Sequence, residues 1–180
     1  RVLSEIESIE AKKIIVIPKD DFTTLNSIKD YNHKIIHQNE EGFGAALIEG
    51  INSVQTKYFC IFNADGSFNP YELKKMYSKI SNNKSNLVFG SRYIKNSGSE
   101  DDTIVTFFGN KIFSLLGNFL FSLPISDILY TYVLGETTRV KKLKLQRKNF
   151  TFCVELPIKA LRSGLKLTAS PSYERKRIAG

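Results

Sequence analysis

Residues 57–81 read KYFCIFNADGSFNPYELKKMYSKIS, which predicts a strand, a loop and a helix in succession. The apolar run at the start has the composition of a buried strand. Asn69 and Pro70 are a typical helix start, because Asn caps the first turn and Pro is tolerated at the first helical position. Asp65 lies in the loop between the strand and the helix. It is either a polar residue that starts a turn or a ligand for a metal ion or a phosphate.

Alternating strands and helices extend on both sides of that stretch. Further buried strands are predicted at 13–18, 34–38 and 86–93, and helices at 1–13, 20–31, 39–54 and 104–123. The strands are apolar without alternation, as in a sheet that is covered on both faces. This pattern predicts an α/β fold, a three-layer α/β/α sandwich with a mainly parallel sheet. Shorter strands and one helix follow, and residues 1–180 are expected to form a single domain because no linker divides them.

The chain has 180 residues and a formal net charge of +8, and 42% of its residues are hydrophobic. These values are typical of a globular domain with anionic partners, such as nucleotides, polyphosphates, nucleic acid or an acidic membrane surface. Cys60 and Cys153 each lie in an apolar, strand-like run, and neither belongs to a CxxC spacing. They are predicted to be buried free thiols rather than a disulfide or a metal pair.

The sequence shows no signal peptide and no apolar run that approaches the ~18 residues of a membrane span. The strongest candidate, residues 113–125, is interrupted by Gly117, Asn118 and Pro124. We therefore expect at most an amphipathic segment that lies on a membrane or on a partner. The expected location is cytoplasmic, with peripheral contact to the cytoplasmic face of a membrane.

Three charged residues each follow a predicted strand, namely Asp20, Asp65 and Arg92. Ligands of such sheets bind where the carboxyl ends of the strands meet the loops, so the three side chains are expected at one edge. Asn63 and Asp65 alternate along the chain and can face the same side. With Ser67 they offer oxygen ligands of the kind that Mg²⁺ or Mn²⁺ prefers, although a single carboxylate makes a weaker site than two.

Other motifs each allow two interpretations. The glycines of GFGAALIEG (42–50) permit either close helix packing or the approach of a ligand. Arg92 in GSRY suits either a surface ion pair or a diphosphate or carboxylate ligand. Arg175 and Arg177 alternate in YERKR, so one side of a strand or loop would carry both charges; a solvated tail or nucleic-acid contact is the alternative.

In their order and spacing, these stretches resemble family 2 glycosyltransferases of the GT-A fold, and among them the dolichyl- or polyprenyl-phosphate mannose and glucose synthases. The resemblance covers residues 13–180. The motifs that carry it are IIVIPKDD, NEEGFGAALIEGI, FNADGSFNPYEL, LVFGSRY, GNKIFS, SD, FCVELPIKA, GLKL and PSYERKRIAG. In two places the chain departs from the family. The opening strand expected before residues 13–18 is absent, which suggests an N-terminally incomplete or divergent copy, and Asn63 replaces the first aspartate of an Asp-x-Asp motif.

The resemblance implies a role for each matching residue. Asp65 and Asn63, assisted by Ser67, would hold the metal ion. Arg92 would contact phosphate or the acceptor, and Asp127 would be the general base if the acceptor is a hydroxyl group. The implied donor-binding residues are Asp20, Asp21, Gly44, Asn63, Asp65, Arg175 and Arg177, and the implied catalytic residues are Asp65, Asp127 and Arg92.

The implied activity is the inverting transfer of a hexose from a nucleotide-diphosphate sugar to a polyprenyl phosphate or a glycan. The basic composition and the apolar segment 104–125 favour the lipid phosphate. A non-catalytic GT-A-like domain with weak donor binding is the alternative, supported by Asn63 and by the absent strand. A nucleic-acid-binding domain has only charge in its favour, because no stacking-aromatic motif or helix-turn-helix pattern accompanies it. No nucleic-acid partner is therefore expected.

Overall fold

The computed structural model describes residues 1–82 and 84–178. Its strands are β1 (Ile14–Ile17), β2 (Lys34–His37), β3 (Tyr58–Ile61), β4 (Leu87–Ser91), β5 (Gly98–Ser99), β6 (Val133–Glu136), β7 (Leu167–Pro171) and β8 (Tyr173–Glu174). Its α-helices are α1 (Val2–Glu5), α2 (Phe22–Ile28), α3 (Phe43–Ser53), α4 (Leu73–Ser81), α5 (Ile104–Phe121), α6 (Thr137–Lys142) and α7 (Phe152–Arg162). The four strands predicted in the first half are confirmed. So is the helix start at Asn69, whose side chain accepts from the backbone N–H of Tyr71.

The central sheet has the strand order β3-β6-β4-β7. Strands β4 and β7 are parallel, whereas β6 runs antiparallel to both of its neighbours. Two further parallel pairs, β1–β2 and β5–β8, complete the strands. The architecture is therefore α/β as predicted, but the sheet is mixed, because β6 enters between β3 and β4 in the opposite direction.

Helices cover both faces of the central sheet, which gives the three predicted layers. Along β4, Leu87 and Phe89 belong to a core cluster shared with α3 and α7, and Val88 belongs to a second cluster under α4. Both faces of this strand are thus removed from water, which explains its continuous apolar sequence. The apolar area buried on the two faces is the main source of the stability of this layer arrangement.

Strands β1 and β3 are edge strands in the described part of the chain. Strand β1 pairs only with β2, and β3 pairs only with β6. Helix α3 packs on both: Gly50 approaches Val16 of β1, and Ile51 shares a core cluster with Phe59 of β3. Within residues 1–13 only the four-residue helix α1 forms, so the long helix predicted there is wrong.

Helix α5 corrects the expectation that no segment is long enough for a membrane span. It runs uninterrupted for 18 residues, and by length and composition alone it could cross a membrane. Gly117 and Asn118 do not break it, because they lie on the side that faces the domain. The packed side consists mainly of small or polar residues, whereas large apolar side chains such as Leu116 and Phe119 point outward. The polarity of α5 is therefore inverted relative to a helix of a water-soluble core.

The run FTFCVEL (150–156), interpreted from its sequence as strand-like, leads into helix α7, which begins at Phe152. Its buried residues Phe152, Cys153, Leu156 and Ala160 recur at helical spacing and pack under the sheet. Cys153 is accordingly a buried helical thiol, and Cys60 lies in β3. Both are free, as predicted, but Cys60 is only half-buried, so the predicted burial is confirmed for Cys153 alone. Burial raises the pKa of Cys153 to about 11.

Candidate functional site

The loop that follows β3 holds Asp65 in a fixed orientation. Its Oδ1 accepts from the backbone N–H of Ser67 at 2.9 Å and from the Ser67 hydroxyl at 2.7 Å. Gly66 adopts a φ of +84°, a left-handed conformation that glycine supports without strain. Ser67 is buried, so its hydroxyl orients Asp65 from within and does not face outward as the predicted metal ligand would.

A second segment, residues 175–178, lies directly on the Asp65 loop; we call it the basic loop. The N–H of Arg175 donates to the carbonyl of Ser67, and the N–H of Ile178 donates to the carbonyl of Asp65, both at 2.9 Å. The side chain of Ile178 packs against Gly66, where any added Cβ would overlap it. The structure thus brings the carboxylate and the basic loop together, although they are more than 100 residues apart.

The two arginines of the basic loop point to different partners, so the prediction that one side carries both charges is wrong. Arg175 is half-buried, and its Nη2 donates to Glu5 at 2.8 Å and to the carbonyl of Phe68 at 2.7 Å. Its Nε is buried without a hydrogen-bond partner among the described residues. Arg177 is exposed and forms an ion pair with Asp101 at 2.7 Å. Arg175 is therefore the arginine directed at the Asp65 loop.

The Asp65 loop fits a divalent cation only in part. Within the described ranges, no hydrogen bond engages Oδ2 of Asp65 or the side chain of Asn63. These two groups could supply a carboxylate and an amide oxygen to a hard cation. No cluster of three acidic, His or Cys side chains suited to a metal ion occurs in the part of the chain that the structure describes. A cation held here would need most of its ligands from a bound phosphate and from water.

Arg92 and Asp127 form a buried ion pair and face each other instead of a ligand. Asp127 is 0% exposed, and its carboxylate accepts from Nε of Arg92 at 2.7 Å and from Nη2 at 3.0 Å. The backbone N–H of Arg92 donates to the same carboxylate. This geometry argues against the predicted role of Asp127 as a general base, because no acceptor can reach it.

Two more carboxylates complete the surroundings of Arg92. Its Nη1 donates to Glu174 at 3.0 Å and lies 3.6 Å from Asp102. Burial alone would lower the pKa of Arg92, but the hydrogen bonds and charges of Asp127 and Glu174 outweigh it and raise this pKa. Arg92 is only 8% exposed, so the predicted contact with phosphate is not open to it in this structure.

A cavity of about 280 Å³ opens beside this cluster. Tyr93 and Asp102 form a polar wall, in which the Tyr93 hydroxyl donates to Asp102 at 2.8 Å. Ile104, Phe107 and Phe108 of α5 form an apolar wall. The cavity therefore joins the polar cluster to the exposed apolar helix.

Among the described residues, Asp20, Asp21 and Gly44, the remaining predicted donor-binding residues, form no hydrogen bond with the Asp65 loop. Asp20 is exposed after β1, and Asp21 caps α2, where its side chain accepts from Thr24 at 2.9 Å. Hydrogen bonding by the side chain and the backbone N–H of Thr24 lowers the pKa of Asp21. Gly44 packs against the chain itself, since a Cβ there would collide with the carbonyl oxygens of Arg147 and Asn149. For Gly44 the packing interpretation is correct, and approach of a ligand is wrong.

Glu155 is also held by contacts within the protein. Its carboxylate accepts from the backbone N–H groups of Gln146 and Arg147 and pairs with Lys159 at 2.7 Å. Burial raises the pKa of Glu155, but these hydrogen bonds outweigh it and lower the pKa below 4.5. The basic stretch 141–148 is thereby tied to α7.

Sequence reasoning missed the acidic members of the site, namely Glu5, Asp102 and Glu174. Glu174 lies within YERKR, a stretch in which the arginines are the more obvious ligands for an anion. Asp102 directly precedes Thr103, the capping residue of α5. Asp102 lies next to the start of the predicted helix 104–123, whereas Glu5 lies within the helix predicted at 1–13, and neither position specifies a partner.

Comparison with known proteins identifies relatives of this arrangement. The sequence profile of glycosyl transferase family 2 matches residues 3–143. No curated protein gives a significant match. Glucosyl-3-phosphoglycerate synthase from Mycobacterium tuberculosis, solved with Mn²⁺, UDP and glucosyl-3-phosphoglycerate, is similar in structure, with a TM-score of 0.72 at 10% identity over 99% of this chain and 66% of that one. Its complex with Mn²⁺, UDP-glucose and phosphoglyceric acid gives 0.64 at 10% identity over 93% and 60%.

A third structure of the same mycobacterial enzyme, with Mg²⁺ and UDP, gives a TM-score of 0.62 at 12% identity over 93% of this chain and 59% of that one. The chain thus spans about two thirds or less of the length of these proteins. At such low identity the likeness establishes the GT-A fold. Because the family profile matches well over half of the sequence, the chain belongs to glycosyl transferase family 2.

Proposed function

We propose that this chain transfers a hexose, with inversion, from a nucleotide-diphosphate sugar to a polyprenyl phosphate, or to a glycan if lipid is not the acceptor. The observation that carries the donor half is the contact between the basic loop and the Asp65 loop, because it sets an oriented carboxylate beside Arg175. The relatives described above are complexes with UDP or UDP-glucose and with Mn²⁺ or Mg²⁺, which supports a metal-assisted nucleotide-sugar donor.

The donor diphosphate would lie between Asp65 and the basic loop. Asp65 and Asn63 would hold Mg²⁺ or Mn²⁺, which offsets the charge that develops on the leaving diphosphate. Arg175 would donate to the same leaving group, since a guanidinium binds phosphate with two parallel hydrogen bonds. For this, Arg175 must exchange Glu5 for the diphosphate, and its unpaired Nε would gain a partner.

A polyprenyl phosphate suits the acceptor side because its oxygen is already ionised and needs no general base. Asp127 cannot serve as that base, since it is fully buried against Arg92. Two other carboxylates that contact the basic loop, Glu5 and Asp101, are themselves paired with Arg175 and Arg177. The acceptor phosphate would approach as a nucleophile that only has to be positioned.

Helix α5 supports a lipid acceptor and a peripheral position on the cytoplasmic face of a membrane. Its domain side is small and polar: Ser114 accepts from the N–H of Ile128, and Gly117 contacts the same isoleucine. Its outer side carries large apolar residues, among them Leu116 at 54% and Phe119 at 84% exposure. Helices that pack through small residues and turn large apolar ones outward are typical of a lipid environment.

The donor half is tested by calorimetry of UDP binding in the presence of Mn²⁺. Asp65→Asn keeps the turn acceptor but removes the charge, and we expect it to weaken binding at least tenfold. Asp30→Asn, an exposed aspartate between α2 and β2, is the matched control and should bind as the wild type does. Absence of UDP and GDP binding by the wild type at millimolar concentration would refute a nucleotide-sugar enzyme.

The rival proposal is a GT-A domain that binds donor weakly and does not catalyse. Asn63 in place of a second carboxylate and Glu5 on Arg175 favour it. The variant Asn63→Asp distinguishes the two proposals. If the wild type is inactive and the variant binds UDP far more tightly in the presence of Mn²⁺, the result would support the rival proposal. A wild type that already transfers hexose would exclude it.

The acceptor half is tested with vesicles of phosphatidylcholine and phosphatidylglycerol that contain polyprenyl phosphate. We expect the protein to sediment with them and to form a lipid-linked hexose from a labelled nucleotide sugar. Leu116→Glu and Phe119→Glu should abolish sedimentation, whereas Tyr71→Glu, at an equally exposed aromatic residue outside α5, should not. Vesicle binding that is the same in all four proteins would contradict the role of α5.

A further inference from the structure

The buried cluster around Arg92 joins segments that the proposed function uses for different tasks. Glu174, which accepts from Nη1 of Arg92, directly precedes the basic loop. Asp102, 3.6 Å from the same Nη1, directly precedes the capping residue of α5. Asp127, which holds the other edge of the guanidinium, belongs to the segment that follows α5. Arg92 thus contacts all three of these segments.

We propose that Arg92 is a positioning residue that fixes Glu174, thereby holds the basic loop over Asp65, and ties that loop to both flanks of α5. This role rests on the proposed function, in which the basic loop binds the donor diphosphate and α5 contacts the lipid. It replaces the direct contact with phosphate that the sequence predicts for Arg92.

Apart from its hydrogen bonds to the Asp65 loop and the contacts of Arg175 with Glu5 and Phe68, the basic loop is held to the rest of the domain only weakly. Strands β5 and β8 pair over two residues only, and a short two-stranded ribbon is marginal by itself. The ion pair between Arg177 and Asp101 is largely exposed, and exposed pairs contribute little. By contrast, Glu174 is buried and accepts from Arg92 at 3.0 Å and from the Ser99 hydroxyl at 2.6 Å.

Arginine is required here because one planar group serves two carboxylates at once. Nε and Nη2 face Asp127 while Nη1 reaches Glu174, which a lysine ammonium on its single nitrogen cannot reproduce. Stacking of the guanidinium at 4.8 Å from the ring centre of Tyr130 fixes its plane. Arg92→Lys therefore keeps the charge but loses one of the two links.

The experiment is hydrogen exchange of the full chain, read at the backbone amides of residues 175–178. In Arg92→Lys we expect exchange there to accelerate at least tenfold, while the amides of α4 keep wild-type rates. The affinity for UDP with Mn²⁺ should fall about tenfold in the same protein. Arg139→Lys makes the same substitution at an exposed arginine paired with Glu136, and it should change neither measurement.

Wild-type exchange at residues 175–178 in folded Arg92→Lys would overturn the proposal. So would acceleration throughout the chain, α4 included, because that result marks general destabilisation. If Arg92→Lys fails to fold, Glu174→Gln decides by the same measurement. The exchange result is independent of donor binding: a wild type without affinity for UDP would refute the proposed function and leave the positioning role to be judged on exchange alone.

Discussion

Replacing Asp127 with asparagine tests the buried anchor seen in the structure against the general base that the family resemblance implies. A general base would lose hexose transfer with little change in stability. A buried anchor would lose stability, because its carboxylate accepts three hydrogen bonds from Arg92, at 2.7, 3.0 and 3.2 Å. The amide of asparagine offers one oxygen for these donors and turns an NH₂ group toward the remaining ones.

The expected loss follows from burial and from the charges nearby. Removing one partner of a buried ion pair typically costs about 3–5 kcal/mol. Arg92 retains Glu174 and Asp102, and the mutual repulsion of three carboxylates around one cation is relieved. We therefore expect the lower end of that range, about 3 kcal/mol of unfolding free energy.

Urea unfolding followed by circular dichroism measures this difference. With a slope of roughly 2 kcal/mol per molar urea, a loss of that size moves the midpoint down by about 1.5 M. Asp101→Asn, which breaks the exposed pair with Arg177, is the control and should cost no more than about 1 kcal/mol. A variant Asp127→Asn with the wild-type midpoint and no transfer activity would refute the anchor and restore the general base.

Further predictions concern other parts of the chain. Because hydrogen bonds lower the pKa of Glu155, its stabilising contribution is present above the unfolded pKa, near 4.5, and is lost as the pH falls through the folded value. Glu155→Gln should therefore cost about 1–2 kcal/mol at pH 7, and its urea midpoint should converge on that of the wild type toward pH 3. Gly44→Ala should destabilise by about 1–3 kcal/mol through overpacking, whereas Gly109→Ala, with open space around it, should be neutral or stabilising by up to about 1 kcal/mol in thermal melts. Burial raises the pKa of both thiols, but Cys60 is half-buried whereas Cys153 is buried. Cys153 should therefore react with a thiol reagent only after unfolding in urea, and its rapid labelling in the native protein would contradict its burial.

The strands and the helix start were predictable because their signals are local. A continuous apolar run such as IIVI of β1 and the Asn-Pro pair before α4 each act within a few residues. The run FTFCVEL wrongly predicts a strand because its signal is also local. A short apolar run is compatible with either a buried strand or a buried helix, and its packing partners decide between them. Gly117 and Asn118 were interpreted as interruptions because the sequence does not show which side of α5 faces the domain.

The candidate site was predictable in location but only partly in its contacts. Of the three residues expected at one edge, Asp65 and Arg92 follow β3 and β4, which run in the same direction in the central sheet, whereas Asp20 follows β1 of a separate strand pair. What each side chain touches depends on segments far away in the sequence, such as Glu174 for Arg92, 82 residues on. The position of a residue along the chain therefore predicts which edge of the sheet it lies on. Its burial determines whether it faces a ligand or another side chain.

The two open edges of β1 and β3 have a consequence for the handling of this protein. Their sequences, IIVI and YFCI, are uncharged and without proline, so neither edge carries the features that normally discourage pairing between molecules. At high concentration we expect these edges to be the sites where copies associate into aggregates. A lysine at an outward-facing position of β1 should keep the protein monomeric in sedimentation experiments.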